Sequence, residues 1–228
     1  MQNVVEHPKI IQPIENDVLQ EVKNHDAWPK WSRALIVDPG QYRASSSIGM
    51  VAALEQAGIC PYDFDHIIVS SSWVFAGVGF AVGRGVKMLE YCQSHGPAET
   101  IDLSIKSIRN GTVLQTEKLL AGVLQWEKIE NEEQWFDNPV LPPDYHKIVH
   151  ENGRKNPIIH VVTSTTGDNA QPHYIRSDQV SPQDFQKALA ATLTLPRWSE
   201  SITNNSRHIQ WGEYIDGFLT GEVMYNYA

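Results

Sequence analysis

Cysteine is scarce in this chain of 228 residues: only Cys60 and Cys92 occur, with no CxxC spacing. That excludes a disulfide framework and a thiolate zinc site, and it leaves both cysteines as packing groups of a reduced, cytoplasmic protein. Basic charge is short too, with 18 Lys and Arg against 27 Asp and Glu, a net charge of -9. Lacking a Lys/Arg cluster, the chain offers no surface for nucleic-acid phosphates. No apolar run approaches the roughly 18 residues that a membrane span needs. The opening stretch MQNVVEHPKI has no basic region followed by an apolar core, so it does not read as a secretory signal. Peripheral contact with lipid from the cytoplasmic side stays compatible with all of this. Internal repeats and low-complexity segments are absent as well.

What is present is the composition of a globular protein, 41% hydrophobic and 20% charged, with enough chain to bury a core. Residues 1–32 are polar and proline-punctuated and read as an N-terminal arm; residues 33–228 read as one α/β domain. RALIVD, residues 33–38, is a short buried strand broken by PGQ. A helix follows in SSIGMVAALEQAG, with Ser46 or Ser47 as cap, Met50, Leu54 and Ala57 on one face, and Gly58 at its end. DFDHIIVSS predicts a second strand, and WVFAGVGFAVGRGVKMLEYCQSHG predicts one long helix after it. Glycines inside that helix cost about 1 kcal/mol each relative to alanine, so they imply very close packing on the sheet or on another helix.

Further on, TEKLLAGVLQWEKI predicts an amphipathic helix and NPIIHVVTSTT a third buried strand. SPQDFQKALAATL is a marked helix, with Ser181 as N-cap, Pro182 at the first helical position and Asp184 in the first turn. RHIQWGEYIDG alternates weakly, like a hairpin arm or edge strand. Residues 126–157 are acidic and proline-containing and read as a surface excursion. Strands alternating with helices predict a three-layer α/β/α sandwich around a mainly parallel sheet.

Ligands of open α/β sheets bind beyond the carboxyl ends of the strands. Three such ends carry chemistry here: VDPGQYR after the first strand, VSSSW after the second, and EYIDG late in the chain. A serine on a sharp strand-to-helix turn stands above the sheet, beside amides that favour developing negative charge. A carboxylate or histidine would take its proton, and a glycine-containing loop would present N–H groups to an oxyanion. The order of these motifs resembles the patatin-like acyl hydrolase family, whose pattern is D/E-G-G-G-x-R-G, then G-x-S-x-G, then a late D-G-G or D-G-A. In DPGQYRA, Asp38, Gly40 and Arg43 match while Pro39, Gln41 and Ala44 depart. In VSSSW, Ser71 falls at the nucleophile position, with Val69 and Trp73 in place of the flanking glycines. YIDGF supplies Asp216 and Gly217. GMVAALEQAGI and ALAATLTLP resemble further family segments, and the likeness runs through about residues 33–220.

The resemblance implies a Ser71–Asp216 dyad acting on a lipid or lipid-like acyl ester, with no metal and no cofactor. Gly40 and Gln41 would hold the oxyanion through their amides, Arg43 would orient the loop or attract an anionic head group, and Trp73 and Phe75 would shape the acyl site or block it. Set beside this is a catalytically impaired relative that keeps the fold and binds lipid or another protein; Pro39, Gln41, Val69 and Trp73 favour it. A third alternative for the elbow is plain helix capping by Ser70, Ser71 and Ser72. Nine histidines raise a Ser–His–Asp triad as rival, yet His208 is late without elbow glycines to accompany it. His146 and His150, at HxxxH spacing without a third ligand, are weak metal evidence.

Overall fold

The computed structural model describes residues 33–37, 44–94, 139–165, 172–194, 202–203 and 213–216. The expected N-terminal arm, the helix expected at 116–129 and residues 126–138 of the excursion lie outside them, as do Gly40, Gln41 and Arg43.

The alternation of strand and helix predicted from hydrophobic patterning is present. β1 (Ala34–Ile36) leads to α1 (Ala44–Gln56), β2 (His66–Ser70), α2 (Val74–Ala81) and α3 (Gly85–Ser94). Then come β3 (Ile158–Thr165), β4 (Pro172–Arg176), α4 (Pro182–Thr192), β5 (Ile202–Thr203) and β6 (Glu213–Asp216). The strands form one sheet in the order β1-β2-β3-β6-β5, with β4 also paired to β3. β1, β2 and β3 run parallel, whereas β4 and β6 are antiparallel to β3, and β5 is antiparallel to β6. The protein is thus α/β, with a parallel core extended by antiparallel strands.

Register fixes which strand borders which. His160 to Val162 pair with both β2 and β4, so those two strands lie on opposite edges of β3. Thr163 and Ser164 pair with both β4 and β6, so β6 also lies opposite β4. It follows that β2 and β6 share one edge of β3, and β6 takes over where β2 stops. Ser70 is opposite Val162 and Asp216 is opposite Thr163, one residue step further along. One step is roughly 3.4 Å. The two strands run in opposite directions, so their carboxyl ends meet head-on. β6, expected as a hairpin arm or edge strand, is in fact paired on both sides.

The stretch expected as one long helix is two. From Val74 to Val86 only Arg84 interrupts the apolar and glycine run, and beside it Gly83 adopts φ 68°, a left-handed conformation that ends α2 and turns the chain into α3. The close packing expected of the helical glycines is present in both directions. A Cβ at Gly77 would collide with Val69 Cγ1 on the sheet, and one at Gly79 with the end of Met88 on α3. All eight residues of α2 are buried. Glu55 at the end of α1 accepts the N–H groups of Gly85 and Val86 (2.8 and 3.0 Å), placing a carboxylate on the N-terminus of α3.

α1 starts at Ala44, ahead of the serines expected to cap it. It buries Ser47, Ile48, Val51 and Ala52, whereas Met50, placed by periodicity on the inner face, is 66% exposed. SIGMVAAL is apolar almost all round, so spacing alone selects the wrong stripe. α4 begins as expected: the Ser181 hydroxyl accepts the Asp184 N–H at 3.1 Å, with Pro182 next to it. The described end of the excursion is docked on the body. Tyr145 is 3% exposed and donates to Ala81 O, and Val140 N–H donates to Gln186 Oε1 on α4.

Candidate active site at the meeting of two strand ends

Ser71 is the first residue after β2, and it opens a single 3-10 turn, Ser71–Trp73, that runs into α2. Its φ is 55°, the only positive value at a non-glycine residue among the described residues. Left-handed backbone costs a residue with a Cβ about 1–2 kcal/mol, because Cβ crowds the following carbonyl. Extended strand turns to helix within one residue here, and Ser71 is the residue that takes the bend. Ser70 remains in the β region at φ -146° and is 2% exposed, while Ser71 is partly open. Of three consecutive serines, the bend selects the middle one.

Two neighbours of the bend were expected to oppose it. Val69 stands where the resembling pattern has glycine, which would leave room for the adjacent helix. Val69 is fully buried in β2, and the room is supplied from the other side: Gly77 of α2 has no Cβ where Val69 Cγ1 lies. The glycine missing from the strand is matched by one on the helix. Trp73, in place of the second glycine, closes the 3-10 turn with its ring partly exposed. Its indole N–H is buried without a hydrogen-bond partner. Phe75 is 4% exposed inside α2, in the core.

The elbow backbone is held from α4. Ser71 N–H donates to Thr192 Oγ1 at 2.8 Å, and the Thr192 hydroxyl donates to Val162 O at 2.6 Å. Ser70 Oγ makes a longer contact, 3.4 Å, with the same carbonyl. Facing this turn on the edge of β3 is the last residue of β6, Asp216. The topology therefore brings together the backbones of Ser71 and Asp216, residues from the first third and the last part of the chain.

His173 of β4 lies level with Asp216, both opposite Thr163 on the two edges of β3, whereas His66, His160, His146 and His150 lie toward the opposite end of the strands. His66 Nδ1 and His160 Nε2 are 2.9 Å apart, sharing one N–H between adjacent strands. Burial, reinforced by the charges of His66 and Arg176, holds His160 down at about 4. Next to it Arg176 pairs with Asp178 through two hydrogen bonds of 3.0 and 2.8 Å. Burial opposes the Asp178 charge, yet the Arg176 guanidinium prevails and lowers the carboxyl below its ordinary range. His146 is lowered by burial, and His150 bonds Asn156 Oδ1 at 2.7 Å while stacking on Tyr62. No group of three metal-ligating side chains occurs among the described residues.

A cavity of about 430 Å³ lies at this far end, lined by Tyr62, Val82, Arg84, Pro142, Tyr145 and His150 among others. α2 begins beside Ser71 and ends at Ala81, on the rim of that cavity, and Tyr62 precedes the start of β2. The cavity and the elbow thus lie at opposite ends of α2. Among the described residues no helix is long and apolar enough to cross a membrane.

Sequence reasoning singled out Ser71 and Asp216, and the topology brings their backbones together. It missed Thr192, which is 121 residues from Ser71 in sequence and carries no motif of its own. In comparisons with known proteins, no family model matches the chain and no curated protein matches it.

Proposed function

We propose that this chain is a serine acyl hydrolase of patatin-like, three-layer architecture, acting on a lipid or lipid-like ester. One observation carries the reading: the strained Ser71 at φ 55° sits where β2 ends, and β6 ends in Asp216 on the same edge of β3. Strain at a single, partly open serine between strand and helix is the geometry of a nucleophile elbow. A capping serine has no need of it.

In this reading Ser71 Oγ attacks the ester carbonyl while the Asp216 carboxylate takes the hydroxyl proton. The amides of Gly40 and Gln41 hold the oxyanion; Pro39 contributes no N–H, so the hole rests on those two. Collapse breaks the ester C–O bond, and the departing alcohol takes the proton from Asp216. Water then attacks the acyl-serine, with Asp216 again as base, releasing the acid and restoring Ser71. Arg43 attracts an anionic head group, and Trp73 with Phe75 bounds the acyl side. The free thiol of Cys60 suits a reducing, cytoplasmic setting, with peripheral contact with a lipid surface.

A fluorophosphonate probe tests this directly. Ser71 Oγ forms a bond to phosphorus, the P–F bond breaks as fluoride leaves, and the serine proton passes to the base. The wild-type protein should label on one serine, Ser71→Ala should not label, and Asp216→Asn should label at least about 100-fold more slowly. Absence of label on folded wild-type protein would sink the reading. That outcome would favour the impaired relative that binds lipid or protein without turnover, for which the observation is Trp73: a large ring beside the elbow with a buried, unpartnered N–H.

A further inference from the structure

The parallel ladder between β2 and β3 has a fixed alternation. Ile158 N–H donates to Asp65 O, so odd-numbered residues of β2 direct their backbone groups toward β3, and even-numbered residues direct theirs toward β1, as Val37 N–H to Ile68 O confirms. Continued by one step beyond Ser70, that alternation would join Ser71 N–H to Val162 C=O. Thr192 Oγ1 stands between the two groups, accepting from Ser71 at 2.8 Å and donating to Val162 at 2.6 Å. A side-chain hydroxyl from α4 is spliced into the last rung of the ladder.

We infer that Thr192 is the positioning residue of the elbow: by occupying that rung it holds Ser71 off the sheet in its left-handed conformation and so aims its hydroxyl. The inference rests on the reading of Ser71 as nucleophile. Three features support it. A direct rung would draw Ser71 back into extended strand, where φ is negative and the side chain follows the sheet. Thr192 has no solvent exposure, so its hydroxyl has no water to exchange with and its two partners are fixed. The 2.6 Å bond is at the short end of the hydroxyl range, which makes the spliced rung a rigid link and not a loose contact. Thr192 is also the last residue of α4, so the helix as a whole is the anchor.

The test compares full-length variants by fluorophosphonate labelling rate, corrected for the folded fraction measured by circular dichroism. Thr192→Val keeps the shape and removes both hydrogen bonds; it should slow labelling on the order of tenfold or more, since small misplacements of a reacting group carry such losses. Thr192→Ser restores the hydroxyl and should label within about twofold of wild type. If the valine variant does not fold, Thr192→Ala serves in its place with the same expected loss. Thr194→Val is the control for a merely structural effect. Thr194 is as buried as Thr192, but its hydroxyl donates to Ala190 O at 3.1 Å within the end of α4. It should melt lower and label at the wild-type rate. Wild-type labelling with an unchanged rate in the valine variant, or an equal loss in Thr194→Val, overturns the role of Thr192 alone. An unlabelled wild type overturns the nucleophile reading and this inference together.

Discussion

The bend at Ser71 turns a conformational property into a measurement. A residue held at φ 55° gives up about 1–2 kcal/mol that glycine would not, less what glycine loses through the freedom of the unfolded chain. Ser71→Gly should therefore be more stable than Ser71→Ala by roughly 0.5–1 kcal/mol in urea unfolding, although both lack the hydroxyl. Equal stabilities would mean that the serine is not strained. At this scale the sequence was partly readable. The motif order of the resembling family singled out Ser71 from Ser70 and Ser72, and the left-handed bend falls on that same residue. The compensation between Val69 and Gly77 was not readable. It depends on which helical residue lies over which strand residue, and that is set by packing and not by spacing. Thr192 was hidden for the same reason: its role follows from a contact between distant segments.

Elements were legible in type and less so in extent. Ser181, Pro182 and Asp184 mark the start of α4 because capping is local chemistry, and the structure places them as expected. The division between α2 and α3 escaped because Arg84 is the one polar residue in GVGFAVGRGV and a single charge does not by itself mark a helix end; the φ of Gly83 reveals it. The two interior glycines of α2 give a contrast that tests its packing. Gly77→Ala meets Val69 and Ile67 side chains rooted in the sheet, so it should destabilise by about 1–3 kcal/mol despite the better helix propensity of alanine. Gly79→Ala meets the terminal atoms of Met88, a flexible side chain that can move, and should cost less than about 1 kcal/mol. Denaturant midpoints of the two variants decide the matter; the reverse order would place α2 differently on the sheet.

For the molecule as a whole, buried histidines set the response to acid. His160 is held at about 4 by burial and by neighbouring positive charge, well under the ordinary 6.5, and burial lowers His146 and His173 in the same direction. Above pH 6.5 these groups are neutral in both folded and unfolded chains, and their burial carries no penalty. Between pH 6.5 and 4 the unfolded chain takes up protons that the folded protein refuses, so stability falls as pH falls. The melting temperature should decline through that window, and His160→Gln should make the decline shallower. A melting temperature flat from pH 7 to 4.5 would contradict the burial of these groups. At this scale the α/β class was readable from strand and helix patterns. Strands β4 and β5 were not, and β6 was readable as a hairpin arm or edge strand but not its place between β3 and β5, because adjacency in a sheet is decided by register between segments far apart.

The shared edge of β3 has a kinetic meaning. β2 belongs to a contiguous unit with α1, α2 and α3, whose contacts are close in sequence and form without waiting for the rest. The other half of that edge is filled by β6, which can dock only after the chain has closed a loop through β3, β4 and α4. Closing so long a loop is the slow, entropically costly kind of step. A growing or refolding chain therefore presents β2 with an empty half-lane beside it until β6 seats, and the bend at Ser71 itself waits for α4, whose Thr192 holds it. The strand end is an early structure; the bent serine and the aspartate facing it are among the last features that folding completes.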